Sequence, residues 1–389
     1  MSTYDEYQQV FALSCASNMD GKCTGSQSHL QNCIERNLPP KVGKIGPEWS
    51  VTWGPVVYQA PYSRGPDNTW YVANNKSMQF ADGCYNTYVV AIAGTAITSL
   101  HDFREDLGVG QVVDFASWVS GGITKVPQPA PPPFTGRAFA AMGTVSTVVT
   151  LLTTNTPSTA YGTGTLYQYL TTLPQTKSTR IVFTGHSLGG ALCPTMALAF
   201  LQAGQLSVPS VLAYPTAGPT PGNADFATLF QTHFPKMPAN GSSYQVWNCN
   251  VVNLSDIVPY AWYDLPELLS IYGKLHPVCH WFIKELVTAL EDALKPDKLS
   301  YSPIQCSPFK STSAPTSPPK AWEYTRVAIA QHIREYFHLF DIPFFDLPCP
   351  CPRQGSEERV GDDAPSPHPI FTALLIEQDK FKASAGLVF

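Results

Sequence analysis

The chain has 389 residues, of which 44% are hydrophobic and only 14% charged, with a formal net charge of −5. A typical domain carries about 25% charged residues, so this surface suits apolar substrates, although 36 prolines in loops explain part of the deficit. The lack of any basic run excludes nucleic acid and anionic membrane as electrostatic partners, and no stretch reaches the roughly 18 apolar residues of a spanning helix.

In chain order, residues 1–45 read as helical at first and then loop-like, ending in Leu38-Pro39-Pro40. The start, Met-Ser-Thr-Tyr-Asp-Glu-Tyr, is acidic where a signal peptide is basic, and its apolar patch Val10–Leu13 is short. That pattern favours an intracellular protein, with secretion as the alternative. The ten cysteines lack the regular spacing of a disulfide scaffold, which predicts mostly reduced thiols. β-branched runs predict strands over Trp49–Tyr58 and Thr87–Ile92. Gly121–Gly136, with five prolines, predicts an irregular loop, and Ala138–Leu152 a helix. Ile181–Thr184, Val211–Tyr214 and Tyr244–Val252 predict further strands. Strands alternating with helices imply an α/β fold with a mainly parallel sheet covered on both faces. Without repeats or a convincing linker, the pattern reads as a single domain.

The most informative stretch is Arg180-Ile-Val-Phe-Thr-Gly-His-Ser-Leu-Gly-Gly190. An apolar strand ends in Gly-x-Ser-x-Gly and passes into a helix, the pattern of a nucleophile elbow with Ser187 at its tip. Gly185 and Gly189 leave room where strand and helix nearly touch, and the N–H groups that open the helix point toward a developing oxyanion. A serine needs a base, and the base an orienting acid, which in such enzymes follow in the order Ser, Asp or Glu, His. Among Asp225, Asp256, Asp264, Glu267, Asp292 and Asp297, Asp256 stands out because it lies just past the C-terminal end of a strand. For the base, His276 and His280 lack a metalloprotease pattern or a zinc-like ligand spacing, so neither metal nor cofactor is expected. His368 sits between prolines in a poorly patterned tail. His332 and His338 remain.

These motifs resemble the class 3 (fungal-type) lipases of the α/β-hydrolase fold, over about Trp70 to Phe340. Four segments carry the resemblance: the elbow, Asn253-Leu-Ser-Asp-Ile-Val-Pro259, Gln331-His332 with Tyr336 four residues on, and Val89-Val-Ala-Ile-Ala-Gly-Thr95 followed by Asp102-Phe-Arg-Glu-Asp-Leu107. The resemblance implies Ser187 as nucleophile, Asp256 as acid and His332 as base, with His338 as the fallback. It implies an oxyanion hole from the backbone N–H groups of Leu188 and Thr95. Phe103 stands where the family has Trp, the segment between Thr95 and Asp106 is slightly longer than in small secreted members, and Pro194 interrupts the helix after the elbow. The implied architecture is one α/β-hydrolase domain over 1–389. It comprises an N-terminal extension (1–45), a core (46–345) with a cap-like insertion near 260–325, and a C-terminal tail (346–389). In the insertion, Trp281, Phe282, Leu286, Leu290 and Leu294 are expected to share one helix face.

The implied activity is serine carboxylic ester hydrolysis, in the first instance of triacylglycerols. Phospholipase A1 or feruloyl-type esterase activity is the alternative within that chemistry, and a non-catalytic lipid-binding scaffold the alternative outside it. The implied partner is an ester or lipid, met at a lipid–water interface; the oligomeric state is not legible.

Overall fold

The computed structural model describes residues 4–94 and 108–343, apart from 47, 62, 159, 207–209, 239–240, 295–298, 314, 316–317 and 319. Its strands in chain order are β1 (Ser50–Tyr58), β2 (Asn68–Phe80), β3 (Gly83–Ile92), β4 (Val112–Asp114), β5 (Phe139–Ala141), β6 (Thr179–His186), β7 (Val211–Thr216), β8 (Met237–Pro238), β9 (Val246–Trp247), β10 (Asn250–Asn253) and β11 (Cys306–Phe309). Seven of them form one sheet in the order β1-β2-β3-β6-β7-β10-β11, while β4 pairs with β5 and β8 with β9. β1, β2 and β3 are antiparallel neighbours, and every pairing from β3 to β11 is parallel.

Alternate residues of each central strand feed opposite faces. Val90, Ile92, Ile181, Phe183 and Ala213 join one apolar cluster, and Val89, Ala91, Val182, Leu212 and Tyr214 the other. A strand buried on both sides must be apolar throughout, which is why these runs are continuous rather than alternating. The first face is covered by α3 (Phe115–Gly121), α4 (Met142–Thr153), α5 (Leu166–Thr172), α6 (Gly189–Gln202) and α7 (Ala224–His233). The second is covered by α1 (Glu6–Ala16), α2 (Gln27–Ile45) and the last described helix, Glu335–Leu339. A third cluster gathers Ile257, Leu265, Tyr272, Ile283 and Tyr324 around α8 (Pro277–Leu294) and α9 (Ala321–Ile329).

Several expectations are corrected. Residues 27–45 are helical through Pro39-Pro40 rather than loop-like. A proline inside a helix costs about 3 kcal/mol, but Leu30, Ile34, Leu38 and Val42 are all fully buried along one face of α2, and tertiary packing overrides propensity. The predicted strand Tyr244–Val252 is two strands, because Asn248 adopts φ 65° between them. The predicted helix from Ala138 begins only at Met142, its first residues forming β5. On α8, Trp281 faces outward at 44% exposure, while Cys279, Phe282, Ile283 and Val287 are buried. Of the cysteines, Cys23 and Cys33 are disulfide-bonded, and Cys15, Cys84, Cys193, Cys249, Cys279 and Cys306 are free thiols.

Candidate active site

β6 carries the chain to the carboxyl edge of the sheet, where it turns at Ser187 and enters α6. Ser187 has φ 60°, a left-handed conformation that a side-chain-bearing residue rarely adopts. Its neighbours impose that geometry. The Ser187 N–H donates to the Thr216 carbonyl on β7 (3.0 Å), and the Gly190 N–H donates to the Ser187 carbonyl (2.8 Å). A Cβ on Gly185 would collide with the Gly189 carbonyl, and one on Gly189 with the Ile92 carbonyl of β3. Glycine is therefore required at both positions. Leu188 caps the amino end of α6, so its N–H has no helical acceptor. The helix runs unbroken through Pro194.

Asp256 lies three residues past β10. Its N–H bonds back to the Asn253 carbonyl (3.0 Å), and its Oδ1 accepts from the Val258 N–H (3.0 Å). His332 comes from a single π-helical turn, Ala330–Arg334, inserted between α9 and α10 (Glu335–Leu339). Such widened turns recur at functional sites because they re-aim one side chain within a helix.

These three side chains converge. His332 Nδ1 donates to Asp256 Oδ2 at 2.8 Å, and the Ser187 hydroxyl donates to His332 Nε2 at 2.9 Å. Asp256 is fully buried, His332 is 1% exposed and Ser187 6%. Because a carboxylate only accepts, the bond from Nδ1 assigns the proton there and leaves Nε2 free to take one. His338 stands apart, half-exposed, with its Nδ1 3.5 Å from Glu335. His276 and His280 are exposed. Asp225 lies in the first turn of α7, Asp264 precedes a short 3-10 turn that includes Glu267, and Asp292 lies on α8. Thr95, the Asp102–Leu107 motif, Asp297 and His368 lie outside the described residues.

A further layer of buried groups holds these side chains. The Tyr336 hydroxyl donates to Asp256 Oδ2 (3.0 Å) and accepts from the Asn253 N–H (3.0 Å). Burial, and then the neighbouring Asp256 charge, push the Tyr336 hydroxyl well above its ordinary pKa, so it stays a donor. Asn253 Nδ2 donates to both the carbonyl and the side chain of Gln331 (each 2.9 Å). His186 donates from Nε2 to the carbonyl of His332 (3.0 Å) and accepts from Thr216 at Nδ1 (2.9 Å). Burial, with the adjacent His332, holds His186 well below the usual histidine range. It is thus a neutral brace for the backbone of His332. No local sequence pattern marks either role, because His186 and His332 lie 146 residues apart and Tyr336 and Asp256 lie 80 apart.

The mostly parallel sheet, the strained serine between strand and helix, and the side chains gathered at its carboxyl edge define the α/β-hydrolase fold. Residues 137–264 match a family model described as lipase (class 3). Among solved structures, M37 lipase is 26% identical, with a TM-score of 0.67 over 88% of this chain and 96% of that one. Yarrowia lipolytica LIP2 lipase is 17% identical (TM-score 0.41, covering 67% and 76%), and a lipase from Rhizopus microsporus var. chinensis 15% (0.36, 66% and 69%). No curated protein matches the chain. The chain thus resembles the class 3 lipases over residues 137–264, and with the likeness to M37 lipase this indicates an ester hydrolase.

Proposed function

We propose that the protein is a triacylglycerol lipase working through an acyl-enzyme on Ser187. The observation that supports this best is the buried chain from Ser187 Oγ through His332 to Asp256, at 2.9 and 2.8 Å. As Ser187 Oγ attacks the ester carbonyl, His332 Nε2 takes its proton, and Asp256 holds the imidazole's tautomer and stabilises its charge. Oxyanion stabilisation falls to the backbone N–H groups of Leu188 and Thr95, each worth about 10²–10³ in kcat. His332 then returns the proton to the leaving alcohol. In the second half of the cycle it activates water against the acyl-enzyme, restoring Ser187 and releasing the acid. The low charge content of the chain and the likeness to M37 lipase support a lipid ester as substrate.

The test is hydrolysis of triacylglycerols from short to long acyl chains, below and above the concentration at which they form an interface. A lipase gains activity on long chains when the interface appears. Activity confined to dissolved short-chain or aromatic esters would reassign the substrate class and leave the chemistry intact.

A further inference from the structure

The helix α1 and the turn that follows it touch the site at three places. Gln8 Nε2 donates to the Phe340 carbonyl (2.7 Å), just after the helix that follows His332. Phe11 stacks on Phe340 with ring centres 3.9 Å apart and meets His186 edge-on at 6.2 Å. Just past the helix, Asn18 makes the third contact. Its Nδ2 donates to the Ser14 carbonyl (3.1 Å), and its Oδ1 accepts from the backbone N–H of Gly94 (3.0 Å).

Gly94 is buried directly against the nucleophile. A Cβ built there would stand 2.9 Å from Ser187 Cβ and 2.9 Å from the His186 carbonyl. The ladder between β3 and β6 ends at the pair Ile92–Gly185, and Ala93 is still held, its N–H donating to the Thr69 carbonyl (2.8 Å). Beyond that point the chain enters a glycine, which of all residues has the widest choice of backbone conformation. The bond to Asn18 fixes the orientation of the peptide that joins Ala93 to Gly94. Asp20, in the same turn, anchors the neighbouring strand by accepting from the Thr69 hydroxyl (2.9 Å).

We propose that Asn18 is a positioning residue for ester hydrolysis: its Oδ1 holds the Gly94 peptide against Ser187. This rests on the assignment of Ser187 as the nucleophile. Asn18 touches neither substrate nor the reacting atoms. It acts through Gly94, and a misplacement of about 1 Å at such a position can cost on the order of 10²-fold in rate.

Two substitutions separate this from a role in ending the helix. Asn18→Ala loses both the donor to Ser14 and the acceptor for Gly94. Asn18→Asp loses only the donor. Kinetics on p-nitrophenyl butyrate, with melting curves to establish folding, are read beside wild type and Ser187→Ala. Asn18→Ala is expected to lower kcat by about tenfold to hundredfold with KM changed less than threefold. Asn18→Asp is expected to keep kcat within about threefold of wild type while melting at a lower temperature. If folded Asn18→Ala matches wild type, or if Asn18→Asp loses kcat as Asn18→Ala does, Asn18 is only a structural residue and the proposal falls. Should Asn18→Ala not fold, a folded Asn18→Asp with kcat down tenfold or more overturns it alone. Full activity in Ser187→Ala would instead bring down the underlying mechanism.

Discussion

Holding Ser187 at φ 60° costs about 1–3 kcal/mol, which surrounding contacts must offset. The absent side chain at Gly185 is among them. Gly185→Ala places a methyl against the Gly189 carbonyl, so the elbow must open. The expected result is loss of ester hydrolysis together with a lower melting temperature. Tyr336→Phe removes one donor from Asp256 and the acceptor for the Asn253 N–H. Leaving such buried groups unsatisfied costs about 1–3 kcal/mol, measurable as a shift in urea midpoint, and hydrolysis falls because Asp256 loses one of the bonds that aim it. Asp256→Asn is expected to lower kcat by about 10⁴, the cost of losing the orienting acid. Asp20 makes a pH prediction. Burial raises its carboxyl from 3.8 to about 7, against the opposing hydrogen bond from Thr69. The folded protein therefore holds a proton that the unfolded chain releases above the usual carboxylate range. Its favourable contribution is complete below about pH 4 and is lost as pH rises through about 7. Asp20→Asn, which resembles the protonated acid, should be more stable than wild type at pH 8 and show no advantage at pH 4. A wild-type stability curve flat between those pH values would contradict this.

At the scale of elements, the π turn at Ala330–Arg334 decides where His332 points, and its grip is distributed. His186 holds the carbonyl of His332, Asn253 holds Gln331, and Glu335 accepts from Thr312 and Ser313. α1 supports the far side through Phe11, which stacks on Phe340. Truncating a buried Phe costs about 3–5 kcal/mol, so Phe11→Ala should lower stability by that order in denaturant melts. β3, β6 and β7 were legible because a strand buried on both faces is a continuous apolar run. β2 was missed because its run includes Asn74, Asn75 and Lys76, the last of them exposed. α2 was misread at Pro39-Pro40 because only the packed face, invisible in local propensity, shows why the helix continues. The outward turn of Trp281 on α8 likewise depends on where α9 lies.

At the scale of the whole molecule, the two faces of the sheet have different covers. α1 and α2 bury Val89, Ala91, Val182 and Tyr214 within the same cluster as Leu30, Ile34 and Phe11. α1 and α2 are thus part of the core rather than an appendage, and deleting residues 1–45 should yield aggregated protein rather than a trimmed active enzyme, read by size-exclusion chromatography. The order Ser, Asp, His along the chain and the strand ends beside Ser187 and Asp256 pointed to those two residues and left His332 and His338 open; the resemblance at His332 and Tyr336 chose the histidine that meets them in the structure. The bracing by His186 and Asn18 was not readable in advance, since each bond joins segments that only the finished fold brings together. Every step of the proposed reaction requires Ser187 as the nucleophile. Treatment with a fluorophosphonate, followed by peptide mapping, tests it most directly. The mechanism predicts a single adduct on Ser187, formed in step with the loss of hydrolysis and greatly slowed in His332→Ala. An adduct on another residue, or inactivation that proceeds equally in Ser187→Ala, would contradict it.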